Sequence, residues 1–425
     1  MAAQTAQPDL ILAGRLIDGT GAPPREGQAL LLENGRIRAV LPQSELTPTQ
    51  RRDAAVLDLP AATVIPGLID THVHLTFNAG PNHAVVRAAV TEESNARLAL
   101  RALANAQAHL ASGVTTVRDV GGRGLVTLAV RDAFRDGLVL GPRMQASGPA
   151  ITTSRGHLHY LGAIANSAAE MRKRAAEVLD RGADFVKLCA SGGIMTAESD
   201  PMASQYTTEE LRAAVEVAER RGTLVAAHVL AREALERCVH AGVRSIEHCL
   251  WQDQPGAFRF RPEVAARMRE QGIFAGLTFA GLSQARYREQ QMGLAPNEDL
   301  GVWRERLEHR YAAEREMIAS GVRYVLHSDA GVRETPFGAF WLILATACFE
   351  LRLSPLQAIT AASASAAELM GLSHELGTLE PGKRADLLIV EGDPTEEIKA
   401  LSRPRRVLLD GRVVAEDGEL RSRLP

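Results

Sequence analysis

Between residues 64 and 374 the chain alternates short apolar runs with amphipathic helical patterns, and few folds accommodate that alternation eight times over. The runs are TVIPGLIDTHVH, VTTVRDV, RMQASG, FVKLCAS, LVAAHV, SIEH, IFAGLTF and YVLHSDA. Between them lie stretches such as ESNARLALRALANAQAHLASG and TTEELRAAVEVAERRGT. The latter opens with Thr207 or Thr208 at the N-cap, carries acidic residues in its first turn and closes near Gly222. Most of the runs are too apolar to be exposed on either face, as expected of parallel strands packed between an interior and an outer layer of helices. Eight such units predict an α/β fold, a closed (β/α)8 TIM-like barrel, in preference to an open doubly wound sheet.

The two ends have a different texture. Residues 9–62 hold short apolar runs separated by turn signals, with Asn34-Gly35 between ALLLE and RIRAV as a strong hairpin cue. The last fifty residues repeat the pattern in GTLEPGKRADLLIVEGD and RRVLLDGRVV, the second with an Asp-Gly turn. The expectation is a small β-sandwich composed of residues 1–63 plus 375–425, with the barrel occupying 64–374. Pro66-Gly67 stands at the seam.

Bulk properties narrow the class of ligand. The chain is 46% hydrophobic and 23% charged, an ordinary globular balance, and its net charge of −3 comes without any block of like charges. Nucleic-acid and membrane-surface partners are therefore disfavoured, and a small molecule is the expected ligand. Cys189, Cys238, Cys249 and Cys348 are widely spaced and include no Cys-x-x-Cys pair, so neither a disulfide framework nor a zinc knuckle is signalled. No run of apolar residues is long enough for a membrane span. The start MAAQTAQPD lacks a basic and an apolar signal region, which favours the cytoplasm as written. An Ala- and Gln-rich start is also compatible with the trimmed front of a periplasmic or secreted precursor.

In a barrel of this kind functional groups sit at the C-terminal ends of the strands. The first run ends in His72 and His74, which share a face because strand side chains alternate with period two. The fourth holds Lys187, the fifth ends in His228, the sixth in His248 and the eighth in Asp329. Each has an ordinary alternative: a hydrogen-bonded core histidine, a helix-capping aspartate, a salt-bridged lysine. Together, four imidazoles, an aspartate and a lysine suit two divalent metals of the zinc type. An ammonium cannot ligate, but desolvation lowers a lysine's pKa, and the neutral amine can take up carbon dioxide as a bridging carbamate.

His72-Val-His74, Lys187, His228, His248 and Asp329, with the phrases PGLIDTHVH, GVTTVRDVGG and GTLEPGKRADLLIV, resemble the amidohydrolase superfamily over essentially the whole chain. FVKLCASGGIMT, SIEHC and HSDAG are most similar to its imidazolonepropionase-related branch, which includes prolidase-like, carboxypeptidase-like and ochratoxin-hydrolysing enzymes. The resemblance implies that His72, His74 and Asp329 hold one metal, that His228 and His248 hold the other, and that carboxylated Lys187 bridges them. It further implies that Asp329 is the catalytic proton carrier and that the enzyme is a homo-oligomer.

Substrate contacts are expected from TTSRGHLHY, which offers Arg155, His157 and His159 on a loop at the active rim. In similar dipeptidases a histidine at the position of His157, with a basic partner, meets the substrate carboxylate, a task that suits the planar donors of arginine. Some prolidase-like members carry a tyrosine where this chain has Leu230, which argues against strict Xaa-Pro specificity and for an apolar pocket. Ser191–Thr196 holds two glycines that suit either a close approach to the site or a plain turn. FAGLSQARYREQQMGLAPNEDLGVW is long enough for a lid or an oligomer contact. The expected activity is cleavage of an amide bond releasing an amino acid from a dipeptide or an N-acyl amino acid, with ochratoxin A a candidate substrate. Cyclic-amide hydrolysis of the imidazolonepropionase type is the alternative.

Overall fold

The computed structural model describes residues 8–294 and 300–421. Residues from both ends form one eight-stranded mixed sheet. Its strands are β1 (Leu10–Leu16), β2 (Arg25–Glu33), β3 (Arg36–Pro42) and β4 (Val56–Pro66) from the first end. Separated from these by the whole barrel, the last part of the chain supplies Leu387–Glu391, Pro404–Leu409, Arg412–Glu416 and Glu419–Leu420. Asn34 and Gly35 both adopt positive φ, 51° and 77°, which is the backbone a two-residue hairpin turn between right-twisted strands requires. Asp410 and Gly411 repeat it at 47° and 71°. The inner strands are apolar on both faces: Ile11, Ala13 and Leu16 pack in one buried cluster, Leu10 and Leu12 in another.

The run TVIPGLIDTHVH is divided between the two parts. Thr63 to Pro66 pair antiparallel with Leu387–Val390 in the terminal sheet. The chain then passes through Gly67, whose amide donates to the Asp386 carbonyl (2.9 Å), into the first barrel strand β5 (Leu68–Val73).

All eight runs become barrel strands: β5, β6 (Val114–Asp119), β7 (Arg143–Ala146), β8 (Val186–Cys189), β9 (Val225–His228), β10 (Ser245–Glu247), β11 (Phe274–Thr278) and β12 (Arg323–His327). Neighbours pair in parallel except β7 and β8, where the short strand Ile151–Thr152 pairs with Leu188 instead and the Asp184 amide donates to the Ala146 carbonyl (3.0 Å); at the other seam the Asp329 amide donates to the His72 carbonyl and the His74 amide to that of Ala330, both at 2.9 Å. The helix Thr208–Arg220 is capped by Thr207 in a reciprocal box with Glu210, settling the choice between the two threonines. Of the segment after β11, residues 295–299 lie outside the described residues, as do 1–7 at the start of the chain. Among the described residues no helix is long and apolar enough to cross a membrane.

Candidate metal centre and active site

β5, β8, β9, β10 and β12 deliver the predicted side chains to one end of the barrel. The imidazoles form a contiguous cluster, with ring centroids 5.4 Å apart for His72–His74, 5.1 Å for His72–His248 and 4.7 Å for His228–His248. Lys187 lies two residues below the β9 end, opposite Ala226 in register while Cys189 faces His228. Its ammonium is close enough to disfavour protonation of His72, His74, His228 and His248. Among the described residues no carboxylate lies within ion-pair distance of it, though the charges of Glu247 and Asp329 favour its protonated form.

Burial sets the charge state of the cluster. It holds His72, His228 and His248 well below the usual imidazole range and brings His74 down to about 4, so all four rings are neutral near pH 7. It also lowers the pKa of Lys187, against the pull of Glu247, and raises that of Asp329, against the pull of Lys187. Neutral imidazole and deprotonated amine are the forms that ligation and carbamate formation need.

The outward nitrogens are each spoken for. His72 Nδ1 is 2.8 Å from Glu247 Oε2, His74 Nδ1 is 2.9 Å from the Gly121 carbonyl, and His228 Nε2 is 3.1 Å from the Gly192 carbonyl. Because those oxygens only accept, His72 and His74 carry their hydrogens on Nδ1 and turn bare Nε2 atoms inward. There they meet Asp329 Oδ1, 3.3 Å from His72 and 3.5 Å from His74, a buried oxygen with no hydrogen-bond partner. Three lone-pair atoms converging without a hydrogen between them repel one another until a proton or a cation comes between them. Donor atoms of His72, His248 and Asp329 all lie within 4.8 Å of one another, which suits a metal ion. The donor set therefore fits the metal chemistry that the sequence implies.

Backbone strain gathers at the same place. His248, Cys249 and Asp329 have φ of 64°, 47° and 58°, left-handed values that non-glycine residues adopt only where surrounding structure enforces them.

Behind the cluster lies a set of buried groups that the sequence pattern did not single out. Glu247 Oε1 accepts from Arg118 Nη2 (2.8 Å) and from Ser245 Oγ (2.6 Å), and Arg118 Nε donates to the Thr71 carbonyl (2.7 Å). Burial penalises the Glu247 charge, but Arg118, with His327 and His72 at its oxygens, holds the carboxyl well below the usual range. Asp70 joins Ser328 Oγ and His109 Nε2, tying the β5 end to the loop that carries Asp329. Asp119 accepts from the Leu75 and Gly121 amides and is raised to about 6 by burial, with those amides opposing. The available signal was a charged residue inside an apolar run, Arg118 in VTTVRDV and Glu247 in SIEH.

The substrate-side residues are distributed unevenly. His157 is buried, its ring 4.4 Å from that of His228 and its Nδ1 3.4 Å from Thr196 Oγ1. Gly193 packs on the face of the His157 ring so closely that a Cβ would collide with it, which explains one glycine of the SGGIMT loop as a close approach. Leu230 is buried at the end of β9, its amide held by Ser191 Oγ (2.9 Å). His159 is half-buried and bonded to the Gly156 carbonyl. Arg155 is exposed and makes no contact with the imidazole cluster among the described residues.

Neutral imidazoles facing a carboxylate across the rim of a parallel barrel define a metal-dependent hydrolase of the barrel class. Residues 63–414 match the amidohydrolase family, and the chain belongs to it. It is 29% identical to ochratoxinase of Aspergillus niger over 435 residues, covering 95% of this chain and 85% of that protein. It is 25% identical to imidazolonepropionase of Geobacillus thermodenitrificans over 441 residues, covering 93% and 92%. Its fold is similar to that of a Xaa-Pro dipeptidase with methionine bound in the active site, with a TM-score of 0.81, 28% identity and coverage of 95% and 98%.

Proposed function

We propose that this amidohydrolase is a binuclear enzyme that cleaves an amide bond to release an amino acid from dipeptides or N-acyl amino acids, with aryl amides such as ochratoxin A within reach. The carrying observation is the convergence of bare imidazole nitrogens on the unpartnered Asp329 Oδ1 beside a buried, depressed Lys187. His72, His74 and Asp329 would hold one ion, His228 and His248 the other, and Lys187 as its carbamate would bridge them. Zinc suits this nitrogen and oxygen donor set. Two such ions, when bound, supply hydroxide at neutral pH and polarise the scissile carbonyl.

The chain's own residues do the rest. Asp329, a carboxylate at the rim beside the imidazoles, would receive the proton of the attacking water and pass it to the leaving amine. His157, neutral and seated over His228, orients the substrate by hydrogen-bonding its carboxylate. Leu230, without a hydroxyl at that position, leaves an apolar wall that accepts side chains other than proline. Two relatives, an ochratoxinase and a Xaa-Pro dipeptidase holding methionine, support a product of this class.

The test is a liquid-chromatography screen of N-acyl amino acids, dipeptides and ochratoxin A with zinc-loaded protein, using His72→Ala as control. Release of free amino acid by the wild type alone is the expected result. Turnover confined to cyclic amides would replace this proposal with chemistry like that of the imidazolonepropionase relative.

A further inference from the structure

His72 and His248 belong to different ions in the proposed centre and stand on different strands, yet one buried series of polar groups joins them. His72 Nδ1 is 2.8 Å from Glu247 Oε2, and the same oxygen is 3.2 Å from His327 Nδ1. Across that ring His327 Nε2 is 2.6 Å from Thr278 Oγ1, which is in turn 3.0 Å from His248 Nδ1. Every member is buried, and the second Glu247 oxygen is taken by Arg118 and Ser245.

With His327 a neutral imidazole, the carboxylate 3.2 Å from its Nδ1 favours one proton order. A carboxylate donates nothing, so both Nδ1 atoms that face Oε2 carry hydrogens. His327 Nε2 is then a bare acceptor, and the Thr278 hydroxyl spends its single proton there. Its oxygen turns a lone pair to His248 Nδ1, which must therefore carry a hydrogen. His248 Nε2 is left bare, as His72 Nε2 is at the other end, and both face the side where Asp329 stands. The reverse order would press a His327 lone pair against the carboxylate. The order also explains why interior positions at the ends of β11 and β12 hold a threonine and a histidine where valine and leucine would fill the space without any buried polar atom.

We infer that Thr278 and His327 are positioning residues which, with Glu247, fix the tautomer and orientation of His248, so that a single buried carboxylate prepares one ligand for each of the two ions. The inference rests on the two-ion reading of the centre.

Thr278→Val removes the hydroxyl at nearly constant volume, and Thr278→Ser keeps it. Metal-free wild type, both variants and Glu247→Gln are titrated with zinc against a chromophoric chelator at neutral pH, with circular dichroism and thermal melting as checks on folding. Wild type and Thr278→Ser are expected to take up two ions with matching affinities. In Thr278→Val one ion should bind as before and the other about 10- to 100-fold more weakly, and in Glu247→Gln both should weaken. Thr278→Val binding two ions as tightly as the wild type would overturn the relay and leave the two-ion centre standing. A wild type that takes up fewer than two ions would overturn the two-ion reading, and the relay's claim to serve two ions with it. Thr278→Ala removes the same hydroxyl without apolar bulk beside the imidazoles. It is held to the same outcomes should Thr278→Val fail to fold.

Discussion

At the strand ends the imidazoles and the carboxylate behind them are answered by buried partners: His72 by Glu247, His74 by the Gly121 carbonyl, His248 by Thr278, Glu247 by Arg118. The loop that follows β7 is built otherwise. It presents a single buried ring, His157, between exposed Ser154 and Arg155 on one side and half-buried His159 on the other. The contrast teaches where each property of such an enzyme is stored. Chemistry is held by over-determined groups on rigid strands, whose misplacement costs both stability and turnover. Choice of substrate rests on a few loop contacts that can change without disturbing the barrel.

That contrast can be broken by substitution. Asp329→Asn keeps the shape of the side chain but cannot carry the proton, and in protein loaded with its full complement of metal kcat should fall by about 10²- to 10⁴-fold with KM changed little. Steady-state kinetics on the best amide substrate decides it, and an equal loss in KM alone would move Asp329 from proton carrier to binding residue. Arg118→Met leaves Glu247 charged, buried and without its cation, and should cost about 3–5 kcal/mol of stability. Chemical denaturation checks the value, and a change under about 1 kcal/mol would mean that the barrel interior is wetter than its packing implies.

On the loop side, His157→Ala should lower kcat/KM for carboxylate-bearing substrates by about 10- to 100-fold while metal content stays at the wild-type level. The loss should vanish for the same amides with a blocked carboxyl group. Arg155→Ala, an exposed change, should alter neither activity nor stability by more than about twofold. A larger effect of Arg155 than of His157 would invert the comparison.

The strand ends should also respond to pH in a way the loop does not. Burial raises the Asp329 pKa, so the folded, metal-free chain holds that proton more tightly than a free carboxylate would. Ligation must release it, and zinc affinity should therefore fall as pH drops, by about tenfold per unit for each proton released. Competition titrations across a pH series measure the slope, and a flat profile would show that Asp329 is already ionised before metal arrives.

Much of this organisation was legible in the sequence because it is carried by local patterns. Eight apolar runs became eight strands, the Asn34-Gly35 and Asp410-Gly411 turns formed, and the candidate ligand residues stand at or near strand ends, where period-two alternation puts His72 and His74 on one face. The supporting groups were not legible, since Glu247 meets His72 across 175 residues of chain and nothing local to SIEH names its partner. Thr278 and His327 were hidden for the same reason, each lying in an apolar run whose composition predicts only a strand. Arg155 is a different case. A loop sequence gives no periodicity from which to tell a buried position from an exposed one, and here His157 is buried while Arg155 is exposed.

The central claim is that the buried strand ends hold two divalent ions. Elemental analysis of protein purified without chelators and supplied with zinc tests it most directly. The account predicts about two ions per chain for the wild type and a loss in His72→Ala. One ion per chain or fewer in the wild type would contradict it.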